Sequence, residues 1–298
     1  MIIDFHAHIA YHKLYPNQFL SGLFSSQISG DSDLSKIGSI LKLFLKDKDC
    51  TQLLKQMDEA EIDKTVFLIV DDNECIGKSE LSIEDSYDLH YKILKTHPDR
   101  FIVFAGYHPG RGTTGLELLK KGIEDYGFRG IKLYPPYGFC LSDLRLNACY
   151  EYANKFSLPI VIHTGFAIEG LQNSYAEPTF VHKIADQYQD VKFIMAHAGY
   201  KLNDPLICDL LLKRNVYADI SGFQSILNQE NHQCIFEMIF SEPYVDKILF
   251  GSDWPITNLM KPLSNQLAKI KEMVPKASKT SLEKVLYKNA NSLIQGSF

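Results

Sequence analysis

Short apolar runs rich in β-branched and aromatic residues recur eight times along the chain, and stretches of helical periodicity separate them. The strands they predict are Ile2–His6, Thr65–Val70, Phe101–Tyr107, Phe128–Leu133, Pro159–His163, Val191–His197, Val216–Ile220 and Lys247–Gly251. The intervening segments are amphipathic. Thr51–Ala60 places Leu53, Leu54 and Met57 on one side, and the stretch after Glu177-Pro178 carries Val181, Ile184, Ala185 and Tyr188. Asn203-Asp204-Pro205 supplies a cap residue and a first-turn proline before Leu206, Ile207, Leu210 and Leu211. A last helix is expected over Ser281–Leu293. Alternating β and α elements without a linker-like break predict one α/β domain over residues 1–298, a parallel (β/α)8 barrel of the TIM type. An open doubly wound sheet is the alternative, and no Gly-x-Gly-x-x-Gly turn follows the first strand to favour it.

Composition narrows the partners. Hydrophobic residues make up 45% of the chain and charged residues 22%, as in ordinary globular proteins. No apolar run approaches the roughly 20 residues that a membrane-spanning helix needs. A net charge of −5 without a basic block excludes a nucleic-acid partner. The cysteines at 50, 75, 140, 149, 208 and 234 form no Cys-x-x-Cys pair and are too sparse for a disulfide scaffold. With a first strand starting at Ile2, no signal peptide is expected, and a cytoplasmic location is the expectation.

In a (β/α)8 barrel the active site lies at the C-terminal ends of the strands. Polar residues close several of the predicted strands at that end. His6 and His8 sit two apart at the end of the first run, where strand alternation predicts that both imidazoles, with Asp4, share one face. Two imidazoles from one strand end can offer nitrogen ligands to one metal ion. His163 closes the fifth run, His197 the sixth, and Asp253 follows the eighth. The barrel would bring all five to one mouth.

These residues lie in the segments Asp4-Phe-His-Ala-His8, Gly130-Ile-Lys-Leu-Tyr134, Ile162-His-Thr-Gly165, Ala196-His-Ala-Gly199 and Gly251-Ser-Asp-Trp-Pro255. In that order they resemble the amidohydrolase superfamily, in particular the branch that includes aminocarboxymuconate-semialdehyde decarboxylase. Val285-Leu-Tyr-Lys-Asn-Ala has the look of the same family's terminal helix. The resemblance implies a divalent metal, Zn²⁺ by preference with Mn²⁺ or Fe²⁺ as alternatives, held by His6, His8, His163 and Asp253. It also implies catalytic roles for Asp253, as proton acceptor from a metal-activated water, and for His197, as the group that polarises or protonates the substrate.

Lys132 is expected to point into the barrel, since Ile131 and Leu133 point towards the helices. It would pair with Asp4 or another barrel carboxylate, contact an anionic substrate, or, when carboxylated as in other amidohydrolase branches, bridge a second metal. The decarboxylases of the branch lack this Gly-Ile-Lys-Leu form, which tilts the expectation towards hydrolysis. Tyr134, Tyr137, His108 and Trp254 are the candidates for the substrate pocket. The segment from Ile9 to Cys50, with Tyr15, Phe19, Phe24 and Ile37–Leu45, is far longer than a usual βα connection and would serve as a lid or as a homodimer contact. The expected activity is metal-dependent hydrolysis of an amide, ester or lactone in a small metabolite. Non-oxidative decarboxylation of an aromatic or unsaturated acid is the alternative.

Overall fold

The computed structural model describes residues 1–25, 42–200, 204–223, 232–256, 262–273 and 277–296. Within them, eight strands form one sheet in chain order with consecutive strands paired parallel: β1 Ile3–Ala7, β2 Lys64–Leu68, β3 Phe101–Gly106, β4 Gly130–Leu133, β5 Ile160–His163, β6 Phe193–Ala196, β7 Val216–Asp219 and β8 Ile248–Leu249. The ring closes between its first and last strands. Phe5 N donates to Phe250 O at 2.9 Å, Asp253 N to His6 O at 2.8 Å and His8 N to Trp254 O at 2.7 Å. The fold is therefore the (β/α)8 barrel that the alternation predicts.

Several strands end earlier than their apolar runs. Val70, Tyr107, His197, Ile220 and Gly251 lie beyond the ladders, in the connections that build the barrel mouth. Side-chain preference marks residues suited to a buried pleat but not where pairing stops. Two apolar layers follow from alternation along the strands. Val66, Leu68, Phe104, Val161, Ile194 and Leu249 fill the barrel. Phe67, Val103, Ile131, Leu133, Ile160, Ile162, Met195 and Ala218 face the helices. Ala290 and Leu293 of the last helix join the inner cluster.

β1 departs from simple alternation. Its register on β2 slips between Asp4 and Ala7, so that Ile3 and Phe5 pack in the inner cluster whereas Ala7 belongs to the outer one. The irregularity re-aims the strand end, as β-bulges beside active sites do. His6 and His8 both line the cavity at the mouth, but Asp4 does not. The expectation that Asp4 shares their face is thus corrected: its buried carboxylate accepts from Ser252 N at 2.8 Å and Ser252 Oγ at 2.6 Å.

Helices start where the sequence places their caps. Asp204 accepts from Leu206 N ahead of Pro205–Leu212, and Ser82 makes a capping box with Asp85 ahead of Ile83–Thr96. Asn203 lies outside the described residues. The terminal helix runs from Lys279 to Gln295 with a π-helical turn at Lys284–Lys288. In the long connection after β1, the helix Asn17–Ser25 lies across the mouth, and Phe19 clusters with Tyr134, Tyr137 and Ile168. Gly22 permits this approach, because a Cβ there would meet Ile168 Cδ1 at 2.8 Å. Residues 37–41 and the side chain of Phe24 fall outside the described part. Among the described residues no helix is long and apolar enough to cross a membrane.

Candidate active site

The strand ends bring His6, His8, Lys132, Tyr134, Tyr137, His163, His197 and Asp253 around one cavity of about 440 Å³. Leu14, Tyr15, Phe19 and Leu23 close over it from the connection after β1, and Phe166 and Ile168 from that after β5.

The hydrogen bonds of the first two imidazoles decide which nitrogens face the cavity. His6 Nδ1 donates to Asp219 Oδ2 at 2.8 Å, and His8 Nδ1 donates to the Leu68 carbonyl at 2.8 Å. Both acceptors lack a proton to give, so Nδ1 carries the hydrogen and Nε2 presents a lone pair. Burial lowers the His6 pKa to about 4, against the pull of Asp219, so the ring is neutral at neutral pH. The two Nε2 atoms lie 3.5 and 3.6 Å from Asp253 Oδ1. Ligand atoms of His6, His8 and Asp253 all fall within 4.8 Å of one another.

His163 is buried, and burial together with His197 and Lys132 keeps it neutral. Its Nε2 is shut off from solvent and has no protein hydrogen-bond partner among the described residues. The Tyr134 ring stacks on it with centroids 4.3 Å apart. His197 packs against His6 and His163, with centroids 4.8 and 4.9 Å away, and its Nδ1 donates to the Ser221 carbonyl at 3.1 Å. Two of these residues sit in left-handed backbone, His197 at φ 58° and Asp253 at φ 56°, an arrangement of the kind that clusters at active sites.

Lys132 occupies the inner face of β4 and is 1% exposed. Burial lowers its pKa to about 8, while Asp219 and Asp253 act in the opposite sense. The expected pairing with Asp4 is absent, because that carboxylate is taken up by Ser252 and the His6 amide. Lys132 Nζ has no protein hydrogen-bond partner among the described residues.

Two expected pocket residues lie elsewhere. His108 Nδ1 accepts from Gly110 N at 2.9 Å and so caps the turn Pro109–Arg111, while its Nε2 lies 3.3 Å from the Tyr137 carbonyl. Trp254 packs in the outer core, because its backbone continues the pairing with β1 that closes the barrel. Neither borders the cavity.

One residue escaped the sequence reading. Asp219, the last residue of β7, is fully buried; it holds His6 by one oxygen and accepts from His197 N and Ser221 N, both at 3.0 Å, and from Ser221 Oγ with the other. Its neighbours outweigh burial and hold its carboxyl far below the usual range. The signal was present as an acidic residue closing the apolar run Val216-Tyr-Ala-Asp-Ile.

A closed parallel barrel with imidazoles and carboxylates gathered at its C-terminal mouth defines the class, a TIM-barrel enzyme. A profile described as Amidohydrolase matches residues 3–294, and the chain belongs to that family, whose members are typically metal-dependent. An uncharacterized TIM-barrel protein from Bordetella bronchiseptica superposes with a TM-score of 0.70 at 19% identity, covering 99% of each chain. The 4-oxalomesaconate hydratase from Rhodopseudomonas palustris follows at 0.67 and 20%, covering 99% of this chain and 96% of that one. A dihydroxybenzoic acid decarboxylase from Polaromonas sp., with bound manganese and 2-nitroresorcinol, gives 0.64 and 18% over 99% and 96%. At these identities the likeness is one of fold. No curated protein matches the chain.

Proposed function

We propose that the protein is a metal-dependent hydrolase of an amide, ester or lactone bond in a small metabolite, with one divalent ion held by His6, His8, His163 and Asp253. The observation that carries this reading is the convergence of two Nε2 lone pairs on an ionised carboxylate oxygen, at 3.5 and 3.6 Å. Acceptors facing one another in a buried site repel unless a cation stands among them. The partnerless Nε2 of His163 in the same cavity fits as a further donor. Three imidazoles and a carboxylate suit Zn²⁺, with Mn²⁺ and Fe²⁺ also compatible.

Such an ion supplies Lewis acidity, polarising a substrate carbonyl and acidifying water. The chain supplies the rest. Asp253, ionised at neutral pH, takes a proton from the attacking water as the carbonyl carbon gains its oxygen. When the scissile bond breaks, the same carboxyl returns that proton to the leaving nitrogen or oxygen. His197, anchored through Nδ1, would meet the substrate oxygen as an imidazolium, donating from its other ring nitrogen. Tyr15, and Phe19 and Leu23 of the helix Asn17–Ser25, keep bulk water from the mouth.

Elemental analysis of protein purified without chelators or a metal-binding tag tests the site, with about one equivalent per chain expected. A hydrolase must also incorporate ¹⁸O from labelled water into its product. A chain that stays metal-free after reconstitution removes this proposal, and near two equivalents would favour a second ion bridged by carboxylated Lys132. The second reading is non-oxidative decarboxylation of an aromatic or unsaturated acid, favoured by the Tyr134 ring that stacks on His163 in the cavity wall. Carbon dioxide release without ¹⁸O uptake would select it.

A further inference from the structure

Three of the four imidazoles at the barrel mouth are oriented by a hydrogen bond through Nδ1: His6 by Asp219, His8 by the Leu68 carbonyl and His197 by the Ser221 carbonyl. A histidine that ligates a metal is almost always fixed in this way, by a bond from its second nitrogen. His163 differs. Neither of its ring nitrogens makes a protein hydrogen bond among the described residues. Rotation about the last bond of a histidine side chain is soft, so something else must hold the ring plane.

Aromatic rings surround it instead. Tyr134 stacks on His163 with centroids 4.3 Å apart and 26° between the planes, and His197 packs edge-on at 4.9 Å and 71°. Tyr134 is itself placed on a stiff base. Pro135 and Pro136 fix φ at two successive residues after it, and Tyr137 N donates to Tyr134 O at 3.1 Å across the turn. The Tyr137 ring lies against Tyr134 at 4.7 Å, and Phe19 meets the two rings at 6.5 and 6.4 Å. Cys75 Sγ donates to the Tyr137 carbonyl at 3.0 Å and secures the far end of the turn. The Tyr134 hydroxyl makes no hydrogen bond among the described residues, so its flat face is what the neighbours use.

We propose that Tyr134 is a positioning residue for the metal centre: its ring, backed by Tyr137, holds the His163 imidazole in the plane that presents Nε2 to the ion. Stacking here takes the place of the hydrogen bond that orients the other imidazoles. This rests on the proposed role of His163 as a ligand, and adds the group that aims it.

The test measures Zn²⁺ retention against a competing chelator and the visible spectrum of the Co²⁺-loaded protein, whose bands follow ligand geometry. Tyr134→Phe keeps the flat face and is expected to match wild type in both. Tyr134→Met fills the space without a flat face; it should hold Zn²⁺ about 10- to 100-fold more weakly and shift the Co²⁺ bands. A general loss of stability would lower the melting temperature without moving those bands, so the spectrum separates aim from support. If Tyr134→Met does not fold, Tyr137→Leu, which removes only the backing ring, is read in its place, with changes of the same sign expected. Wild-type retention and spectrum in the variant that is read overturn the proposal. So does a loss in Tyr134→Phe as large as in Tyr134→Met, since the hydroxyl would then be at work. A wild-type chain that takes up neither ion removes the metal site and this assignment with it, whereas variants that bind as wild type does remove this assignment alone.

Discussion

Asp219 Oδ2 and His6 Nδ1 stand 2.8 Å apart in the barrel interior, and that bond sets which nitrogen of His6 faces the cavity. Asp219→Asn keeps the shape but can turn an NH₂ towards Nδ1, which moves the ring proton to Nε2 and removes the lone pair. Metal affinity should fall about 10- to 100-fold with little change in melting temperature. Metal content after dialysis against a weak chelator measures it. Retention equal to wild type would mean that His6 is oriented by Ser221 or by packing alone.

Gly251 works on the same imidazole from the other side. A Cβ at this position would sit 2.8 Å from His6 Cβ and 3.1 Å from Ser221 Cβ. Both neighbours are the rigid first atoms of their side chains, so Gly251→Ala must displace His6. Misplacement on the order of an ångström costs about 100-fold in rate, and overpacking costs about 1–3 kcal/mol in stability. Kinetics and thermal melts of the variant check both effects, and wild-type values in each would mean that His6 and Ser221 accommodate the methyl without moving the imidazole.

The architecture was legible because β-branched runs and amphipathic helices alternate without interruption, and a parallel barrel then carries strand-end residues to one mouth. His6, His8, His163, His197 and Asp253 could be nominated on that ground, and all of them border the cavity. Lys132 could be pointed inward by parity, since Ile131 and Leu133 do pack outward. What sequence could not supply was local backbone geometry. The register slip in β1 separates Asp4 from the histidine pair, and no residue type announces it. His108 and Trp254 directly follow strand-end segments but are drawn away by a cap and by barrel closure. Asp219 was overlooked because a carboxylate inside an apolar run has meaning only when its partner, His6, is known to lie across the barrel.

His163→Ala tests the proposed ligand set most directly. The deletion removes the partnerless Nε2 and leaves a space bordered by Tyr134 and His197. Activity should be abolished and metal occupancy reduced, while circular dichroism stays that of the wild type. Normal turnover with full metal content would exclude His163 from the centre.

The last prediction concerns a histidine away from the cavity. His90 is buried on the helix Ile83–Thr96, donates Nδ1–H to Ser86 O at 2.7 Å and meets Phe67 edge-on. Burial lowers its pKa from 6.5 to about 4. The unfolded chain therefore binds this proton more readily, and stability present above pH 6.5 is lost as pH falls towards 4. The full effect is on the order of 3 kcal/mol. His90→Gln removes the titration, so its melting temperature should fall less steeply than that of wild type between pH 6.5 and 4. Parallel melting profiles across that window would mean that the His90 ring gains a proton as readily in the folded barrel as in the unfolded chain.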